Sequence, residues 1–454
     1  MSRSPDARSL ALTILETLER REAFADAVLD AVLSRHPGMA PRDRALVGQL
    51  VYGVLRWRNR IDAHIARASS RPLRRIHPTV LEILRLGVFQ ILFLDRVPAR
   101  AAVHQAVEEA RRRGQAHAAG FVNAVLRTVA RQGPELPLPR DPVGRLSLLF
   151  GCPGWVVEAW VREHGEAGAE ALCRAASRVP PLWLRVSTGR VGRDEAVRRL
   201  RAEGIPAQPG RFVPEAVLVE VRGDPRAVSL IREGLAVIQD QASQLVAHLL
   251  APEPGWRVLD ACAAPGLKAA HLAEGVGPAG RVTAVDVHPH RARQVAALAR
   301  RLALGNVDVA AADATRPPCR ARFDAVLVDA PCSGLGVLSR TPEAKWRRTP
   351  EHVAGLPDLQ LRLLRAAAGL VRPGGVLVYA TCTTLRAENQ GVVERFLEEA
   401  PGFAPEPPPP GPVPWPDLMD DEGYYRTFPR AVAGEGPAAL DGFFGARLRR
   451  REGS

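Results

Sequence analysis

From about residue 236 onward, short apolar runs recur at intervals, and each ends in an acidic or small residue. They are Arg257-Val-Leu-Asp-Ala, Arg281-Val-Thr-Ala-Val-Asp, Asp324-Ala-Val-Leu-Val-Asp and Gly375-Val-Leu-Val-Tyr-Ala. Helical segments near 288–304 and 350–371 separate them. Apolar runs this short read as strands covered on both faces, which is what crossover helices impose on a parallel sheet. The pattern predicts an α/β fold, a doubly wound and mostly parallel Rossmann-like sheet with its ligand at the carboxyl ends of the strands.

A chain of 454 residues has room for more than this one domain. Ala7, Leu10, Ala11, Ile14, Leu15 and Leu18 fall at helical spacing, as do Val80, Ile83, Leu84, Val88 and Ile91. These predict an all-α domain over residues 1–135, with basic faces from Arg56, Arg58, Arg60 and Arg111 to Arg113. Pro134, Pro137 and Pro139 mark a linker. Between 145 and 235, helix-like stretches (Val156 to His164, Asp194 to Glu203) alternate with strand-like ones (Leu182 to Val186, Ala216 to Val221). A small α+β middle domain follows from that texture, with no constellation of reactive residues in it. The sheet domain takes 236–454; within it Pro405 to Pro416 reads as a loop, and Tyr424 to Phe428 and Phe443 to Leu448 as strands.

Composition narrows the function. No stretch approaches 18 uncharged apolar residues, and the first residues run into Glu16, Glu19, Arg20 and Arg21, so neither a membrane span nor a secretory leader is expected. A cytoplasmic monomer is expected. Six cysteines (Cys152, Cys173, Cys262, Cys319, Cys332, Cys382) form no CxxC pair and no zinc-ligand spacing, so no metal is expected and each cysteine is either buried or chemical. The net charge of +13 favours a polyanionic partner. Only Lys268 and Lys345 are lysine among 62 basic residues, as arginine-favouring codon drift would leave. Lysines that persist against such drift are candidates for a role arginine cannot fill.

Leu259-Asp-Ala-Cys262-Ala263-Ala264-Pro265-Gly266-Leu267-Lys268 places small residues and one glycine where a strand turns into a helix. This is not GxGxxG, which disfavours a dinucleotide. Asp286, twenty positions after Gly266, ends the second strand and can accept both hydroxyls of a ribose. Asp313, in Ala-Ala-Asp-Ala-Thr, ends the third strand, near where an adenine would lie. Any one of these carboxylates could be a helix cap; together at successive strand ends they point to an adenosyl ligand.

Val328-Asp329-Ala-Pro-Cys332-Ser-Gly334 closes the fourth strand and Tyr379-Ala-Thr-Cys382-Thr the fifth. A lone cysteine is most often a small buried hydrophobe. Two at the ends of adjacent strands, beside a nucleotide pocket, suit covalent catalysis instead. Carbon 5 of cytosine is too poor a nucleophile to take a sulfonium methyl unaided. A thiolate adding to carbon 6 turns the ring into an enamine that can. Asp329 stands where it can contact N3 or N4 of the base, and Lys268 is placed to hold Asp329 or the base.

With those segments in view, the chain resembles the Sun/RsmB (Fmu) RNA 5-methylcytosine methyltransferases. The likeness spans nearly the whole chain and rests on Asp-Ala-Cys-Ala-Ala-Pro-Gly, Asp-Ala-Pro-Cys-Ser-Gly, Arg340-Thr-Pro-Glu-Ala-Lys345-Trp346 and Tyr-Ala-Thr-Cys. The helical N-terminus, with Phe121-Val-Asn-Ala-Val-Leu-Arg127, looks like a NusB-type RNA-binding domain. The resemblance implies a class I methyltransferase domain with S-adenosylmethionine as cofactor and small-subunit (16S) ribosomal RNA as partner. It implies Cys382 as nucleophile and Cys332 as the residue that assists product release. Cys262 to Lys268, Asp286, Asp313 and Asp329 match cofactor-binding positions. One departure is Leu267, where the family usually has glycine.

Alternatives remain at this level. A DNA cytosine methyltransferase would use Cys332 and carry Glu-Asn-Val, which this chain lacks; it has Glu388-Asn389-Gln390 after the fifth strand. A transfer RNA cytosine-C5 methyltransferase is a second alternative, since ribosomal and transfer RNA both offer looped cytosines that can be extruded into a pocket. A non-catalytic RNA-binding or antitermination factor would need only the N-terminal domain.

Overall fold

The computed structural model describes residues 6–21, 23–221, 223–317, 322–427 and 440–453; Cys319 and Phe428 lie outside these. The chain divides into two compact units. One comprises Met1–Val179, Arg222–Asp224 and Leu338–Arg347, the other Pro180–Val221, Pro225–Val337 and Arg348–Ser454.

The first unit is helical: Ala7–Arg20, Ala25–Leu33, Pro41–Ala68, Pro78–Phe93, Ala99–Arg112 and Ala119–Gln132, then Pro142–Phe150 and Gly154–Ser177. The apolar stripe of the first helix is buried from Ala7 to Leu18, and Val80, Ile83, Leu84 and Val88 meet it in one core. Each such side chain contributes about 1.5–3 kcal/mol by leaving water. The helices Pro41–Ala68 and Pro78–Phe93 cross at Gly53, where a Cβ would lie 1.9 Å from the Phe89 ring. No larger residue fits that crossing. The last helix breaks at Gly165 (φ 68°, ψ 178°), which ends the expected Val156–His164 stretch one residue on.

Leu338–Arg347, though it follows Cys332 closely in sequence, belongs to this helical unit. Trp346 Nε1 donates to Leu55 O (2.6 Å), Glu343 accepts from the Ala25 amide (2.9 Å) and Arg56 donates to Ser339 O (3.0 Å). Lys345 is 1% exposed and its ammonium donates to Arg56 O and Gly151 O, both at 3.3 Å. Burial pushes its pKa down, against the pull of the neighbouring Cys152. Lys345, one of the two lysines read as candidates for a role arginine cannot fill, thus has its ammonium enclosed within the helical unit. A compact ammonium suits such an enclosed position between two backbone carbonyls.

The second unit holds two sheets. β1 (Leu182–Val186), β2 (Ala207–Pro209), β3 (Ala216–Val219) and β4 (Ala236–Ile238) form an antiparallel sheet in the order β2-β3-β1-β4. The helix Arg193–Ala202 packs on it through Ala196, Val197 and Leu200.

The larger sheet comprises β5 (Arg257–Asp260), β6 (Arg281–Asp286), β7 (Val307–Ala311), β8 (Phe323–Asp329), β9 (Val371–Thr381), β10 (Phe403–Pro405), β11 (Tyr425–Thr427) and β12 (Phe443–Arg450). Its order is β10-β12-β9-β8-β5-β6-β7, with β11 paired to β12. The five strands from β9 to β7 are parallel, and β12 pairs antiparallel to β9. Alternation along each strand feeds two cores. Val258, Ala325, Leu327, Val376 and Val378 face one layer, with helices Gln241–Leu250 and Leu267–Val276. Leu259, Val326, Val328, Leu377 and Tyr379 face the other, with helices Leu356–Ala368 and Gln390–Glu399. Both faces are therefore apolar, which is why the runs read as uninterrupted. The chain goes from β5 outward to β6 and β7, then returns through β8 to β9 on the other side. That reversal places the switch point between β5 and β8, where a ligand crevice belongs.

Candidate active site

Asp260, Asp286 and Asp329 end β5, β6 and β8, and Cys382 follows the last residue of β9. All four thus stand at carboxyl ends around the switch point. Asp313 lies two residues beyond β7, exposed, its Oδ1 accepting from the Thr315 amide (2.9 Å) and hydroxyl (2.7 Å). Those local bonds lower its pKa. Asp286 is 5% exposed; one oxygen accepts from the His288 amide (2.9 Å) and the other lies 3.8 Å from Arg291 Nε.

Cys262 to Lys268 forms the turn from β5 into the helix Leu267–Val276. Gly266 has φ +108°, open to glycine almost alone, and a Cβ there would meet Val295 Cα at 3.1 Å and Leu298 Cδ2 at 3.3 Å. The glycine is thus required by its backbone and by the helix Pro289–Arg301 behind the turn. Leu267, the departure from the family pattern, packs with Val237, Ala270 and Leu302, which explains its tolerance. Burial and the nearby Asp260 push the Cys262 thiol well up, so it is held neutral.

Lys268 Nζ donates to Asp329 Oδ2 at 2.7 Å and lies 5.5 Å from the centre of the Phe443 ring. Burial opposes its charge, but Asp329 outweighs burial and raises its pKa. Cys332 Sγ and Cys382 Sγ are 3.4 Å apart. The Cys332 thiol is held well above its usual range by the hydrogen bond to Cys382 and by burial. Parallel pairing of β8 with β9, with Asp329 opposite Ala380, brings the two loops side by side.

Several residues escaped the sequence reading. Asp260 is fully buried, and neither oxygen meets a donor at bonding geometry, although the nearby Cys262 amide lowers the acid somewhat. Burial first, then repulsion by Asp329, raises its pKa to about 7. Its position at a strand end was the available signal. Glu388, also fully buried, joins Ser333, Thr383 and Gln360. Nothing in its spacing marked it as more than a loop carboxylate.

Because the folded chain holds the Asp260 proton more tightly than the ordinary value of 3.8, the residue destabilises increasingly as pH rises from about 4 to about 7. At 1.36 kcal/mol per pKa unit, the cost accruing between pH 5 and 8 is about 2–3 kcal/mol. Thermal unfolding of wild type and Asp260→Asn at both values should therefore diverge at pH 8 in favour of the variant. Parallel pH dependence would show that Asp260 does not titrate in the fold.

The donor set suits a cationic, hydroxyl-rich ligand. Acceptor carboxylates end β6 and β8 and follow β7, and of these only Asp329 is bonded to a lysine. A second cluster has a different character. Glu215 Oε1 lies 2.7 Å from His248 Nε2 and 2.5 Å from His271 Nε2. These three could be read as ligands for a divalent cation. Bonds of about 2.0–2.1 Å to an ion would spread the donor atoms wider than this. The triad is closed by hydrogen bonds. No helix among the described residues is long and apolar enough to cross a membrane.

Comparison with known proteins agrees with this architecture. Residues 247–448 match the family model described as 16S rRNA methyltransferase RsmB/F, residues 5–131 the NusB family, and residues 152–224 the RsmF/B-like ferredoxin-like domain. The ribosomal RNA small subunit methyltransferase B of Xylella fastidiosa (strain 9a5c) is 41% identical over 359 residues, 78% of this chain and 82% of that protein. The protein of the same name from Pseudomonas putida is 35% identical over 419 residues, 90% of each chain. The crystal structure of PH0851 superposes with a TM-score of 0.82, covering 98% of this chain and 99% of that one at 24% identity, a likeness of fold. Identity at this level over nearly the full length, on the sheet and site just described, means that the chain belongs to the 16S rRNA methyltransferase RsmB/F family.

Proposed function

We propose that this protein methylates carbon 5 of a cytosine in small-subunit (16S) ribosomal RNA through a transient covalent bond between Cys382 and carbon 6. The observation that carries the reading is the pair of thiols 3.4 Å apart at the ends of adjacent strands, next to the Lys268–Asp329 pair. S-adenosylmethionine supplies an electrophilic methyl when bound, and Cys262 to Lys268, Asp286, Asp313 and Asp329 are the residues that would hold it.

Cys382 loses its proton to solvent and its sulfur bonds to carbon 6, moving the ring's electron pair toward carbon 5. Asp329 accepts a hydrogen bond from the cytosine amino group, and Lys268 fixes that carboxylate in place. Once carbon 5 carries the methyl, its remaining proton passes to Cys332 Sγ while the Cys332 thiol proton passes to Cys382. The carbon 5–carbon 6 double bond re-forms and the carbon 6–sulfur bond breaks, leaving two thiols. A thiol held neutral beside the nucleophile is suited to this exchange and unsuited to the attack.

The helical first unit and the positive net charge support RNA as the partner. A purely RNA-binding factor would have no use for the paired thiols. Bisulfite sequencing of total RNA from a strain lacking the gene tests the reading. One cytosine of small-subunit ribosomal RNA should lose its protection. Loss confined to transfer RNA would move the substrate, and no loss anywhere would overturn the activity.

A further inference from the structure

Glu388 closes the short turn Arg386–Glu388 after β9 and is 0% exposed. Leaving a carboxylate in such a place costs several kcal/mol unless its oxygens are bonded. Here they are. Oε2 accepts from the Ser333 amide at 2.8 Å and from Gln360 Nε2 at 3.0 Å. Oε1 accepts from Thr383 Oγ1 at 3.1 Å and from Ser333 Oγ, and the two hydroxyls are 2.7 Å apart. Ser333 is the residue after Cys332 and Thr383 the residue after Cys382. One buried carboxylate therefore ties together the loops that carry the two thiols.

The surrounding bonds make the tie rigid. Tyr379 donates to Glu388 O at 2.6 Å, Asn389 Nδ2 to Thr383 O at 3.1 Å, and Gln360 Nε2 also to Pro331 O at 3.0 Å. Ser333 and Gln360 are fully buried and Thr383 nearly so, so water cannot substitute for a lost partner.

We propose that Glu388 is a positioning residue for the reaction, fixing the separation of Cys332 and Cys382 so that the covalent RNA adduct is resolved as fast as it forms. The inference rests on the reading that Cys382 makes the bond and Cys332 helps break it. The negative charge also disfavours a second anion at Cys332, after the stronger effects of Cys382 and burial, which helps keep that residue a thiol.

Glu388→Gln keeps the shape but turns one acceptor oxygen into a donor facing donors. The full chain would be mixed with S-adenosylmethionine and an in vitro transcript of small-subunit ribosomal RNA from the source organism. Adduct on a denaturing gel and methylated product would be followed through the first turnover. The expectation is near-normal adduct formation with release slowed tenfold or more, so that adduct accumulates; Thr383→Val should shift the partition the same way, by less. A merely structural role predicts formation and release falling in proportion, with the partition unchanged, and that result overturns the proposal. Should Glu388→Gln fail to fold, a normal partition in Thr383→Val overturns it equally. Cys332→Ala separates the two levels. If it traps RNA while the Glu388 and Thr383 variants do not, only the Glu388 inference fails; if it traps none, the covalent reading beneath it fails.

Discussion

Cys382→Ala is expected to bind RNA and cofactor and to transfer no methyl, whereas Cys332→Ala should transfer one methyl and then stall with RNA attached to Cys382. The two thiols are 3.4 Å apart, and the hydrogen bond to Cys382 together with burial holds the Cys332 thiol well above its usual range. The proposed division of labour gives the attack to Cys382 and the release to Cys332. Loss of the nucleophile removes the covalent route outright, and the uncatalysed attack by carbon 5 is too slow to measure beside it. Loss of Cys332 leaves attack intact and removes the group that exchanges protons during release. The adduct should run as a slow band on a denaturing gel and vanish in the double variant. The opposite pattern, with Cys382→Ala trapped and Cys332→Ala inert, would exchange the roles. Turnover in both variants without an adduct would rule out covalent catalysis.

Lys268→Arg should fold normally and methylate about a hundredfold more slowly, a loss of about 2.7 kcal/mol in transition-state stabilisation. The ammonium sits between Asp329, at 2.7 Å, and the face of Phe443. A guanidinium is planar and wider, so it must push the carboxylate aside to enter. Single-turnover rates and thermal unfolding distinguish a displaced Asp329 from a damaged fold. The matching Lys345→Arg should do the reverse, lowering the unfolding temperature of the helical unit through lost bonds to Arg56 and Gly151. Near-normal turnover in Lys268→Arg would mean that any cation serves at that position.

The parallel sheet was legible because both its faces are covered, leaving runs such as Asp324-Ala-Val-Leu-Val-Asp apolar throughout and bounded by charge. The ends of those runs were legible for the same reason. A carboxylate cannot continue a buried strand, so Asp286 and Asp329 stop at the crevice. Strand order then made Cys332 and Cys382 neighbours. Helical spacing in the first hundred residues anticipated the core of Leu10, Ile14, Val80 and Ile83. Residues 152–224 match one ferredoxin-like family domain, while the helix Gly154–Ser177, read in part as Val156 to His164, groups by compactness with the N-terminal helices. Chain order carries no signal for that choice, since apolar helix faces do not specify which core they join.

By itself, then, the sequence determined the alternation of strands and helices, the acidic strand ends and the placement of two thiols on adjacent loops. These depend on local period and on where charge interrupts apolar runs. The tertiary structure alone decided which polar groups are enclosed together. It sends Lys345 into the helical unit, joins Glu215 to two histidines from separate helices, and places Glu388 between the loops of Cys332 and Cys382. A buried charge is settled only by the donors that surround it, and those come from residues far apart along the chain.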